Sequence, residues 1–175
     1  YVTVHPCLAT APVVSSLNLA AGETRPNLVI VPLSSAGEVC LTVAETSTDL
    51  LVDLAGELAP NAATTYTPLA PIRLADTRSA DSRLNAGSSG VRLRSSGSAT
   101  VKAAGTRGAP SAVAAMVNVT VTDPAASGYV TVHPCSPTLP DTSTVNFQAG
   151  QTAANAAVAL LDSDVTVPVN IGSPN

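Results

Sequence analysis

Short runs in which Val, Leu or Ile alternate with Thr, Ser or Asn recur along the chain, divided by Pro, Gly, Ser and Asp, and this two-residue period predicts β-strands. The clearest run is 116–122, where Val117, Val119 and Val121 share one face while Asn118, Thr120 and Thr122 take the other, as a half-buried strand requires. Further strands are expected over 2–5, 15–19, 28–33, 39–43, 49–54, 72–74, 90–93, 99–102, 130–133 and 144–147. Residues 123–128, Asp-Pro-Ala-Ala-Ser-Gly, join two strong runs and suit a hairpin loop closed by glycine. These elements predict an all-β fold, a β-sandwich of antiparallel strands with a thin core of Val, Leu and Ala between sheets about 10 Å apart.

The same pattern repeats. Tyr1-Val2-Thr3-Val4-His5-Pro6-Cys7 recurs unchanged from Tyr129 to Cys135, an offset of 128 residues. At that offset Thr10, Pro12, Ser15, Asn18, Ala21, Gly22, Thr24, Asn27 and Leu33 also meet their own kind, giving 16 ungapped identities between 1–33 and 129–161. A unit of roughly 128 residues has been duplicated and the chain cuts it in mid-repeat. The expected division is 1–60 as the second half of one repeat, 61–67 as a linker of small and polar residues just after Pro60, 68–127 as the first half of the next, and 128–175 as that repeat's second half. Within it, 153–161 has a helical composition, but its counterpart 25–33 carries Pro26 and Pro32, which disfavour a helix interior, so both segments are expected as strands.

Composition narrows the function. Hydrophobic residues make up 45% of the 175 positions and mean hydropathy is +0.31, so the chain should fold. A net charge of −4, a single lysine (Lys102) and 2% aromatics argue against nucleic acid, which needs basic patches and stacking platforms. No apolar stretch approaches the roughly 20 residues of a membrane span, and no charged leader precedes one. Because the sequence opens in mid-pattern without Met, it is expected to be a processed product or an excised part of something longer.

Signals for chemistry are sparse. No Cys or His pair has zinc-site spacing, no Asp cluster has calcium-loop spacing, and nucleophile-elbow, phosphate-loop and dinucleotide motifs are missing, so no catalytic, metal or cofactor residue is assigned. His5 and His133 occupy one place in two copies and read as buried or capped side chains rather than a catalytic pair. Arg73, Asp76 and Arg78 stand out in a chain that is only 11% charged. An Asp between two guanidinium forks can lock a loop, and that structural ion pair is favoured over a polar sugar site, which would want aromatic platforms.

The segments Tyr66–Arg78, Val117–Thr122 and Gly128–Val132, together with Ser16–Leu19, Ala21–Thr24, Gly37–Cys40 and Thr48–Leu58, resemble the tandem β-rich repeat of secreted actinobacterial surface proteins. The resemblance covers nearly the whole chain and implies an extracellular or cell-surface module without catalytic residues. It also implies that Cys7 and Cys40 pair as a disulfide, which leaves Cys135 either a free thiol or an intermolecular bridge.

After Val43 the first copy continues into 47–58, where Leu50, Val52 and Leu54 alternate as a strand, whereas the last copy stops before the equivalent positions. The C-terminal unit is therefore expected to lack its closing strand. Closure with 1–58 as a permuted domain, donation by another subunit, and excision from a longer array are the three accounts of that gap. The function expected is a non-enzymatic extracellular structural module, a repeat spacer or fibre subunit that meets neighbouring copies or adjacent repeats head-to-tail through β contacts. The alternative is a carbohydrate- or cell-wall-binding accessory module that takes a surface glycan.

Overall fold

A computed structural model describes residues 1–7, 10–45, 47–58, 66–78, 92–103, 113–134, 138–161 and the backbone of 166–172. It is strand-rich, with no helix among the described residues, and every sheet is antiparallel. The strands are β1 (Val2–Pro6), β2 (Val39–Val43), β3 (Ser98–Lys102), β4 (Ala114–Val121), β5 (Gly128–Val132), β6 (Val145–Phe147), β7 (Ala153–Leu160) and β8 (Thr166–Gly172). The chain divides into two compact units, Tyr1–Asp53 and Leu54–Asn175.

The larger unit carries a four-stranded sheet ordered β3-β8-β5-β6 and a two-stranded sheet of β4 and β7. Alternation explains how they meet. Val130, Val145 and Phe147 from the first sheet are buried against Val119, Val121 and Ala153 from the second, and Ala103 and Ala159 form a second cluster with Leu74, Ala115, Val132 and Leu161. Small side chains on β7 let the strands approach, and Phe147 supplies the bulk the alanines lack. The middle segment of the sequence thus belongs with the C-terminal one: β3 runs along β8, and β4 along β7, the latter over eight residue pairs.

The smaller unit has a single two-stranded sheet, β1 with β2, plus an isolated bridge from Val2 to Leu17. Three apolar runs expected as strands form none: 28–33, 49–54 and 72–74 are irregular, and 15–19 is reduced to that one bridge. Of 90–93, residues 90 and 91 lie outside the described residues and 92–93 are irregular. A β-branched run becomes a strand only where another strand lies beside it, because an isolated extended chain leaves its N–H and C=O groups to water. Conversely β8, interrupted by Pro168 and not singled out from sequence, is a strand because β3 and β5 flank it.

Candidate functional site

The two segments that match at the 128-residue offset carry the same hydrogen bonds. Thr3 Oγ1 donates to the Val14 carbonyl, and Thr131 Oγ1 to the Thr142 carbonyl at 2.6 Å. The Ser16 hydroxyl accepts the Val4 N–H at 3.0 Å, and the Thr144 hydroxyl accepts the Val132 N–H at 3.0 Å. Asn18 Nδ2 bonds Ser15 Oγ as Asn146 Nδ2 bonds Ser143 Oγ, while Asn27 and Asn155 donate to the carbonyls of Ser16 and Thr144. The Ala20 N–H meets Glu23 Oε2 at 2.9 Å where the Gln148 N–H meets Gln151 Oε1 at 2.8 Å. Between those partners Gly22 and Gly150 sit at φ 72° and 71°, the left-handed region in which a Cβ is strained. Most of the polar identities between the copies therefore have a hydrogen bond as their reason.

The histidines belong to this network. His5 and His133 are each 4% exposed. A carbonyl only accepts, so the 2.7 Å contact from His5 Nδ1 to the Pro6 oxygen places a proton on Nδ1, while Nε2 lies within hydrogen-bond distance of the Thr42 hydroxyl at 3.0 Å. His133 Nδ1 makes the same bond to the Pro134 carbonyl at 2.6 Å. Both rings are fixed by the chain that immediately follows them.

The strand register also coincides. β1 pairs with β2 as Val2 with Val43 and Val4 with Leu41; β5 pairs with β8 as Val130 with Ile171 and Val132 with Val169, each shifted by 128. What differs is the far side. In the larger unit the outer edge of β8 is taken by β3, with Val101 opposite Val167 and Ala99 opposite Val169. In the smaller unit β1 is the only strand on β2 among the described residues. Ala44 N–H donates to the Tyr1 carbonyl at 3.0 Å, and antiparallel bonds alternate, so the N–H and C=O of Val39, Leu41 and Val43 point away from β1. Where β7 pairs with β4, segment 25–32 is irregular and is in no strand ladder among the described residues. The consequence for burial is direct: Val29 and Val31 are half-buried where Ala157 and Ala159 are buried, and Ile30 is 63% exposed.

The structure joins Cys7 and Cys40 in a disulfide with a Cα separation of 4.9 Å, beside the His5–Cys40 register pair. Closing 33 residues constrains the unfolded chain by about 3–4 kcal/mol in the loop-entropy account. Cys135 lies outside the described residues.

Arg73, Asp76 and Arg78 are brought together. Arg78 grips Asp76 through Nε to Oδ1 at 2.9 Å and Nη2 to Oδ2 at 2.7 Å, its backbone N–H adds a bond to Oδ1 at 3.0 Å, and Arg73 Nη1 reaches Oδ2 at 3.2 Å. The Arg78 fork, then its backbone N–H, hold the Asp76 carboxyl well below the usual carboxylate range. Every strong acceptor position of that carboxylate is engaged within six residues of chain, which closes a loop and leaves little for a ligand. A second clasp escaped sequence reasoning: Arg92 donates to the Asp123 carbonyl at 2.8 Å and to its carboxylate at 3.2 Å, tying the approach to β3 to the loop after β4. Its only signal is the scarcity of charge, since the pair is 31 residues apart.

Leu50, Val52 and Leu54 pair with no strand among the described residues and are exposed, Leu54 by 90%. No group of three or more His, Cys, Asp or Glu among the described residues is arranged to hold a metal ion, and no helix there is long and apolar enough to cross a membrane. No family model, curated protein or solved structure matches the chain.

Proposed function

We propose that the chain is a non-enzymatic extracellular structural module: an antiparallel β-sandwich repeat of roughly 128 residues that serves as a spacer or fibre subunit of the actinobacterial surface type it resembles. The observation that carries this reading is the hydrogen-bond network and strand register shared at one offset by two segments, only one of which has further partner strands among the described residues. Duplicated scaffolding with conserved register is what a modular array needs, and the disulfide suits an oxidising surroundings.

Head-to-tail association is supported by segment 48–58. Its leucines and Val52 alternate in strand fashion yet stand in water, an apolar row that gains by joining another sheet. Such a contact uses unlike surfaces on the two partners and does not close on itself, so it generates open filaments. Negative-stain microscopy with sizing under non-reducing conditions tests this. Wild-type chain is expected to form filaments with a regular axial repeat, and Val52→Asp to abolish them without unfolding either unit. A 17.4 kDa monomer at every concentration would overturn assembly.

A further inference from the structure

We propose that the unit Tyr1–Asp53 is an acceptor for a two-strand segment of the kind this chain carries at 92–123, which adds one strand to the outer edge of β2 and a second along 25–32. The inference rests on the repeat-module reading and adds to it the identity, the two docking edges and the register of the partner.

The larger unit supplies the template. There β3 and β4 cover the outer edge of β8 and one edge of β7. Transferred by the common offset, β3 sets Val101 against Val39 and Ala99 against Leu41, and β4 sets Val117 against Val29 and Ala115 against Val31. On β2 the edge groups of Val39, Leu41 and Val43 already point outward, as the Tyr1–Ala44 bond requires.

Pro26 and Pro32 are the apparent obstacle to pairing along 25–32, and the geometry removes it. On β7 the Leu161 N–H donates to the Val113 carbonyl at 2.9 Å, so odd-numbered residues bond toward β4. Even-numbered residues turn away from it, in agreement with the Ala156 N–H taking the Asn155 side chain at 3.0 Å. Pro26 and Pro32 correspond to Ala154 and Leu160, both even, so a β4-like strand asks neither proline for a donor. The residues that must donate, Asn27, Val29 and Val31, all have an N–H. Asn27 is also already oriented as its counterpart Asn155 is, through its bond to the Ser16 carbonyl.

The apolar pattern agrees. Val29 and Val31 take the places of Ala157 and Ala159, and Leu19 that of Phe147, so bulk moves from one layer to the other. The chain's own β3 and β4 are held by β8 and β7, so the occupant is a first-half segment from elsewhere, recognised by main-chain pairing and by alternating small and branched side chains.

The test uses the full-length isotope-labelled chain and an unlabelled synthetic peptide of residues 92–123, read by residue-resolved amide hydrogen exchange. Exchange at Val39, Leu41, Asn27, Val29 and Val31 is expected to slow roughly tenfold or more at one peptide per chain. A Val101→Pro peptide, which lacks the donor facing β2, should leave those β2 amides unprotected. A Leu41→Pro chain, whose lost N–H faces away from β1, should keep the β1–β2 amides protected while losing the response to peptide. No protection by the native peptide, or protection confined to β7 and β8 through displacement of β3 and β4, would overturn the proposal. So would protection of the β2 edge in the chain alone at the expense of β8, since the chain's own strands would then be the occupant. Filaments without peptide protection would remove this inference and leave the module reading standing; protection without filaments would do the reverse for assembly.

Discussion

Residues 1–44 and 129–172 are two versions of one structure in different company. Their polar skeleton is common, from Thr3 and Thr131 through the paired histidines to Asn27 and Asn155, and so is the register of the strands on either side. Yet Val145 is fully buried and Phe147 nearly so, while Leu17 and Leu19 are only half-covered, because β4, paired with β7, packs over the second version and no equivalent of β4 packs over the first among the described residues. Local hydrogen bonds define the shape of each half, but burial depends on the strands that lie across it. The disulfide stands in the version with the poorer core, where a covalent constraint offsets missing apolar burial.

Three perturbations would break or sharpen that contrast. The largest effect is expected from truncating the equivalent core positions. Phe147→Ala should cost about 3–5 kcal/mol, and Leu19→Ala, already half in water, no more than about 1–2 kcal/mol. Equal losses, measured by residue-resolved hydrogen exchange under mild denaturant, would mean that the two environments are alike after all. Next, replacing Cys7 and Cys40 together by Ser should destabilise Tyr1–Asp53 by about 3–4 kcal/mol and leave Leu54–Asn175 unchanged. A fall in both units' protection would show that they unfold as one.

The smallest effect is expected at Asp76. Its folded-state pKa is depressed, so the stabilisation it brings is present at and above the ordinary carboxylate range and is lost only as pH falls through the folded value. The Arg78 amide, bonded to Oδ1, should therefore keep its protection down to about pH 4 and lose it in Asp76→Asn at neutral pH, with no change in either core. Opening of this loop in the native chain near pH 5 would contradict the assigned grip.

Legibility from sequence followed the kind of interaction. The strands 116–122, 130–133, 99–102 and 39–43 were readable because alternation is a local demand on residue type, whereas the positive-φ turns at Gly22, Gly37 and Gly150 were not singled out. Polar identities carried the duplication so clearly because a hydrogen bond fixes distance and direction; Ser16 can become Thr144 and Glu23 can become Gln151, since each swap keeps the bonding atom in place. Apolar positions drifted, Val29 to Ala157 and Leu19 to Phe147, since a core requires total volume rather than particular atoms. The Arg73–Asp76–Arg78 clasp was visible through local spacing, and Arg92–Asp123 was not, having no local pattern at all.

Residue order alone indicated alternating strands, a segment recurring after 128 residues, buried or capped histidines and the Arg73–Asp76–Arg78 clasp, because each is written in residue types over a short stretch. Tertiary structure decided which of the apolar runs became strands: 153–160 did and 25–32 did not, although the two stand at the same 128-residue offset. The physical reason is that a β-strand is completed by its neighbour. Its backbone groups and its apolar face reach their full stability only when another strand, brought from far along the chain or from outside it, takes the open edge.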